Sequence, residues 1–141
     1  MNSPAELESQ LTDTCETCAR LLSQTSNKLI FAESCTSGLL AASLSLIPGI
    51  SNVFCGSYVT YRESLKTDAL GVHRETLDQF TAVSRPTTLE MLSGCLDRCT
   101  EATVGLAITG HLGPDAPPEL DGVVFIACMT RCDPKPIERQ L

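Results

Sequence analysis

The sequence predicts a single α/β domain whose mostly parallel sheet is covered by helices on both faces, and three observations carry that prediction. Short apolar runs alternate along the chain with segments of helical periodicity, the order that βαβ units produce. Residues 29–32 and 104–108 are apolar almost without interruption, as strands buried on both faces require. The chain has 141 residues, 43% of them hydrophobic and 19% charged, with no repeat or linker, so residues 1–141 fit one domain with its own core.

The elements follow in order. Ser3-Pro4-Ala5-Glu6 is a capping box with proline in the first helical turn, and Leu7, Leu11, Cys15, Cys18 and Leu22 then recur on one helical face. After the polar break at 24–27, the run 29–32 is the first strand. Glu33-Ser34-Cys35-Thr36-Ser37-Gly38 leads into an Ala- and Leu-rich helix at 39–46, which Pro48-Gly49 closes. Residues 53–61 have the β-branched and aromatic content of a strand. Short helices are expected at 65–70 and near 76–80, and Ser84 is the expected N-cap of a longer helix with Leu89, Leu92, Leu96 and Cys99 on one face. The strand at 104–108 runs into Thr109-Gly110-His111-Leu112-Gly113-Pro114, and 122–129 is expected to be the last strand. From Cys132 onward, Asp133-Pro134-Lys135-Pro136 cannot extend a central strand, so this segment reads as a tail.

A net charge of −7 gives a phosphate backbone no electrostatic reason to bind, so a nucleic-acid partner is not expected. No stretch approaches the roughly 20 apolar residues of a membrane span. The polar, acidic first ten residues do not resemble a signal peptide, so a cytoplasmic location is expected and the eight cysteines read as reduced thiols.

Ligands of α/β sheets bind beyond the carboxyl ends of the strands, where residues 33–38, 61–66 and 109–114 should meet. Ser34 sits at a strand-to-helix turn whose free amides favour a phosphate or an oxyanion. A serine needs a neighbouring base to act as nucleophile, and Lys66 becomes one only if burial or a neighbouring cation lowers its pKa. The alternative readings are a plain helix cap at Ser34, a solvated Lys66, and a packed Tyr61 ring. Cys35 is the rival nucleophile, because the same turn should lower a thiol pKa. Cys15-x-x-Cys18 reads as core packing, and no metal site or cofactor is expected.

Ala32-Glu33-Ser34-Cys35-Thr36-Ser37-Gly38 resembles the A-E-S-C-T-G-G segment of the CinA C-terminal domain family, competence/damage-inducible proteins that include nicotinamide-nucleotide amidases. Pro48-Gly49-Ile50-Ser51, Gly56 to Tyr61 with Lys66 five residues on, Leu70-Gly71-Val72, Ala82-Val83-Ser84, Ile108-Thr109-Gly110 with Gly113-Pro114, and Gly122 to Ala127 continue the likeness in order. The resemblance implies a three-layer α/β/α sandwich with a mixed sheet, a homo-oligomer, and hydrolysis of nicotinamide mononucleotide to nicotinate mononucleotide and ammonia. It implies a Ser34–Lys66 pair with Tyr61 beside it. Thr36, Ser37 and Gly38 are expected to offer oxyanion amides, and Thr109, Gly110 and Gly113 to cradle the small-molecule nucleotide. A non-catalytic nucleotide-binding or regulatory module of the same fold is the alternative. Ser37 and His111 depart from the family pattern. The resemblance also implies a further segment, with an arginine and a closing helix, beyond what this domain carries.

Overall fold

The computed structural model describes residues 1–141. Its elements are α1 (Pro4–Gln24), β1 (Leu29–Glu33), α2 (Leu39–Ser45), a 3-10 turn (Ile50–Asn52), β2 (Phe54–Val59), α3 (Glu63–Leu70), α4 (Arg74–Phe80), α5 (Arg85–Arg98), β3 (Val104–Gly110), β4 (Val124–Thr130) and β5 (Ile137–Gln140). The sheet order is β2-β1-β3-β4-β5, with β1 parallel to both β2 and β3, and with β4 and β5 antiparallel to their neighbours. This is the expected α/β fold with a mixed sheet.

Local signals set the helix starts as the sequence implies. Ser3 N–H donates to Glu6 Oε2 at 2.6 Å while Glu6 N–H donates to Ser3 Oγ at 3.3 Å, the reciprocal box that opens α1. Thr87 N–H donates to Ser84 Oγ at the start of α5. The apolar face of α1 is buried only in its second half, through Cys15, Ala19 and Leu22, whereas Leu7 is exposed.

Two cores flank the sheet. Leu29 and Phe31 of β1 pack with Cys15, Leu22 and Leu44 under α1 and α2, while Ile30 and Ala32 pack with Leu70, Met91, Leu92 and Leu96 under α3 and α5. Successive residues of a strand point to opposite faces, so a central strand covered on both sides must be apolar throughout.

The carboxyl end differs from the expected tail. The last strand is not 122–129: residues Ile137–Gln140 form β5, paired from Phe125↔Gln140 to Cys128↔Ile137. Pro134 and Pro136 cannot donate ladder bonds, but the residues after them can. An edge strand exposed on both faces needs no apolar pattern. Arg85 of α5 grips Glu138 of β5 through two nitrogens, at 2.5 and 2.8 Å.

One close approach fixes α3 against α5. A Cβ on Gly94 of α5 would lie 2.1 Å from the Leu70 carbonyl oxygen at the end of α3. Gly94→Ala must therefore push the two helices apart, and a loss of about 3 kcal/mol is expected, read from a denaturant midpoint. An unchanged midpoint would show that α3 moves away without cost.

Candidate active site

The carboxyl ends of β1, β2 and β3 lie side by side, and their ladders run one bond past the strands. Thr60 N–H donates to Glu33 O at 2.8 Å and Ser34 N–H donates to Ile108 O at 3.0 Å. Ser34 is thereby held at the middle of the sheet edge, where connections leave β1 and β3 in different directions and a crevice opens. The cleft has a volume of about 1020 Å³ and is lined by Ser34, Cys35, Tyr61, Arg62, Glu63, Lys66, Ala82, Val83 and the loop from Gly110 to Ala116. That is room enough for a mononucleotide-sized ligand. A smaller cleft of about 200 Å³ beside Arg85, Thr88 and Glu138 offers no nucleophile.

Lys66 is not a solvated lysine. Its side chain is fully buried, with Nζ 2.9 Å from Ser34 Oγ and 2.6 Å from the Thr60 carbonyl oxygen. Burial disfavours the ammonium and lowers its pKa from 10.5 to about 8, against the smaller opposing pull of Glu63 and Cys35. Near neutral pH this group therefore exchanges its proton readily, one donor direction is fixed on Thr60, and a lone pair of the neutral amine can face the serine hydroxyl.

The turn after β1 is organised by a residue that the sequence reading did not single out for the site. The Glu33 carboxylate is fully buried and accepts from Thr36 Oγ1 (2.8 Å), Gly38 N–H (3.1 Å), Leu40 N–H (3.0 Å), Ala41 N–H (3.0 Å) and Ser57 Oγ (2.9 Å). It fills the amino end of α2 with the protein's own negative charge. The available signal was a carboxylate closing an otherwise apolar strand, five residues before a glycine.

This changes the expected roles of the turn. Gly38 and Thr36 direct polar atoms at Glu33, and Ser37 N–H donates to Ser34 O. None of Thr36, Ser37 and Gly38 lines the cleft. Ser37 stands in the left-handed region at φ 50°, which explains why glycine suits that position and why serine there carries strain. The N–H groups of Cys35 and Thr36, by contrast, find no oxygen acceptor. Both act instead on the Cys35 sulfur, and of the two only Cys35 belongs to the cleft lining, so its amide, rather than those of Ser37 and Gly38, is the one open to an oxyanion.

The remaining candidates divide in the same way. Tyr61 is two-thirds exposed at the cleft rim, and Gly110, His111 and Gly113 line the wall. Thr109 is fully buried and its hydroxyl donates to Ala82 O at 2.9 Å, so it braces the wall instead of facing a ligand. Arg62 lines the cleft and was not anticipated. Cys35 adjoins Ser34, but burial pushes its thiol pKa up; its own N–H, that of Thr36 and the Lys66 charge oppose this only in part. The expected lowering at this turn does not occur, because desolvation outweighs those donors and Glu33 already occupies the end of α2. His73 is at the surface, paired with Glu90. Arg131 is remote from the cleft, bonding the carbonyls of Leu96, Cys99 and Ala102 behind α5.

No helix of the structure is long and apolar enough to cross a membrane. The model of the CinA C-terminal domain matches residues 11–140. A CinA-like protein of Thermotoga neapolitana is 42% identical over 113 residues, covering 79% of this chain and 28% of its own length. A CinA-like protein of Myxococcus xanthus is 42% identical over 112 residues, covering 74% and 26%. The chain thus spans about a quarter of the length of these curated relatives. Among solved structures, the competence/damage inducible protein CihA of Agrobacterium tumefaciens superposes with a TM-score of 0.87 at 35% identity, over 92% of this chain and 79% of that one. The competence damage-inducible protein A of Klebsiella pneumoniae also gives 0.87, at 29% identity over 93% and 81%.

Proposed function

This chain belongs to the CinA C-terminal domain family, and from that premise we propose that it is an amidohydrolase converting nicotinamide mononucleotide to nicotinate mononucleotide and ammonia. We further read it as a single domain spanning residues 1–141 that works in the cytoplasm as a homo-oligomer. The observation that carries the reading is the buried 2.9 Å contact between Lys66 Nζ and Ser34 Oγ at the floor of a ligand-sized cleft. Neither residue is reactive in water; each becomes so in the other's company.

In this reading neutral Lys66 takes the Ser34 proton as Oγ attacks the carboxamide carbon. The N–H group of Cys35, in the cleft lining, receives the oxyanion. The lysine ammonium then protonates the departing nitrogen, ammonia leaves, and water hydrolyses the serine ester by the same route. The Gly110 to Ala116 loop and Arg62 are suited to the phosphate, through backbone amides and a guanidinium. Tyr61, exposed at the rim, would cover the substrate's ring.

Ammonia release from nicotinamide mononucleotide tests the reading. Wild type and Cys35→Ala are expected to release it, and Ser34→Ala to fall by about a thousandfold or more. With the Lys66 pKa near 8, the rate constant at low substrate concentration is expected to rise tenfold per pH unit on the acid side and level off above about pH 8. Full activity in Ser34→Ala with loss in Cys35→Ala would transfer the nucleophile to the thiol. Mononucleotide binding without turnover in wild type would favour a regulatory module.

A further inference from the structure

At the opposite end of the sheet three side chains converge that the proposed reaction does not use. Cys55 lies near the start of β2, Cys99 caps the carboxyl end of α5, and Glu101 stands in the turn before β3. Their two sulfurs and a carboxylate oxygen all lie within 4.8 Å of one another. Cys99 and Glu101 share the connection from α5 to β3 and Cys55 comes from β2, so the tertiary fold assembles the cluster.

The backbone is adjusted to make this meeting. The β1–β2 ladder steps from Leu29↔Phe54 to Ile30↔Gly56, leaving Cys55 as the extra residue of a bulge. In an unbroken strand Phe54 and Tyr58 would share a face. Here Phe54 packs in the core under α1 and α2, whereas Tyr58 and Cys55 pack against the core under α5. The bulge turns the Cys55 thiol toward the end of α5, where Cys99 waits; re-aiming a side chain is what bulges do.

Cys55 and Cys99 are half-buried free thiols, and as thiolates they are ligands for a soft or borderline cation. Two thiolates and a carboxylate suit zinc, with a fourth tetrahedral position left to water, whereas magnesium and calcium demand oxygen ligands throughout. Glu101 is exposed, so the entry path is open, and its present partner is the Lys28 ammonium at 2.7 Å. The other cation nearby, Arg131, is committed to the carbonyls of Leu96, Cys99 and Ala102.

We propose that Cys55, Cys99 and Glu101 form a site for a zinc-class, thiophilic divalent cation at the amino end of the sheet. On binding, two S–H bonds break, two metal–sulfur bonds form, and two protons pass to solvent, with no change of oxidation state. Glu101 exchanges Lys28 for the metal. The ion joins β2, the end of α5 and the approach to β3, far from Ser34, so the site stands or falls independently of the amidase reading.

The test is a calorimetric titration of the fully reduced 141-residue chain with Zn²⁺, repeated with Cd²⁺ to read thiolate-to-metal charge transfer in the ultraviolet. One ion per chain with release of about two protons is expected, with affinity rising with pH. Cys55→Ser and Cys99→Ser should each weaken binding at least about tenfold, Glu101→Gln should weaken it, Lys28→Ala should tighten it, and Cys132→Ser should leave it unchanged. Melting curves without metal establish that each variant folds, and the exposed Glu101→Gln keeps the test open where a cysteine variant does not. The proposal is overturned if wild type takes up no stoichiometric ion or if binding survives both cysteine substitutions. It is also overturned if the pair closes to a disulfide on mild oxidation while the reduced chain binds no metal.

Discussion

Lys66→Met is expected to cut turnover by about a thousandfold or more and, at the same time, to make the folded protein more stable at neutral pH. The first effect follows from removing the only amine that touches Ser34 Oγ. The second follows from desolvation. A lysine pKa lowered from 10.5 to about 8 means that the folded state holds the proton at a disadvantage of about 3 kcal/mol. Methionine has similar length and no charge, and its loss of the bonds to Ser34 and Thr60 offsets part of that gain. A net stabilisation of about 1–2 kcal/mol is expected.

The sign has a pH signature. Below about pH 8 the wild-type penalty is complete, because folded and unfolded chains both carry the proton. Between about pH 8 and 10.5 only the unfolded chain carries it, so wild-type stability rises with pH and the advantage of methionine shrinks. Urea unfolding of both proteins at pH 7 and pH 10 measures this directly. A variant less stable than wild type at pH 7, or an advantage that grows toward pH 10, contradicts the account.

The second large effect is expected at Glu33. Glu33→Ala leaves five donors facing a void: three amides at the start of α2 and the hydroxyls of Thr36 and Ser57. Uncovering that many buried polar groups, and removing the negative charge from the helix end, is expected to destabilise by about 3–5 kcal/mol. In a chain of this size that lowers the melting temperature by about 10 °C or more. The collapse should reach the site, since Ser34 is the next residue. Scanning calorimetry decides the matter, and a shift below about 3 °C would mean that water replaces the carboxylate without loss.

These two residues mark the limits of legibility. The sheet was readable because β1 and β3 are apolar on both faces, a pattern that only a covered central strand tolerates. β5 was not, because Ile137–Gln140 is an exposed edge with no apolar alternation and two prolines before it. Ser34 and Lys66 were legible as a pair only through the resemblance to the CinA C-terminal domain family. The burial of Lys66 was not, since Glu63–Leu70 is polar, and Lys66 is drawn inward by Ser34 after β1 and the Thr60 carbonyl after β2, contacts that only the tertiary fold supplies. The polar turn at 33–38 suggested a cradle for a ligand. Its donors instead serve Glu33, because an internal anion satisfies them as well as a bound one and is always present.

That internal anion also bears on the far side of the proposed reaction. The charge on Glu33 is felt across the turn, where it helps to keep the Cys35 thiol protonated. Nicotinamide mononucleotide presents a neutral carboxamide to this place, whereas nicotinate mononucleotide presents a carboxylate. Substrate and product differ by one negative charge, and the turn already holds one. In the proposed reaction the buried charge of Glu33 is therefore expected to favour departure of the acid over that of the amide.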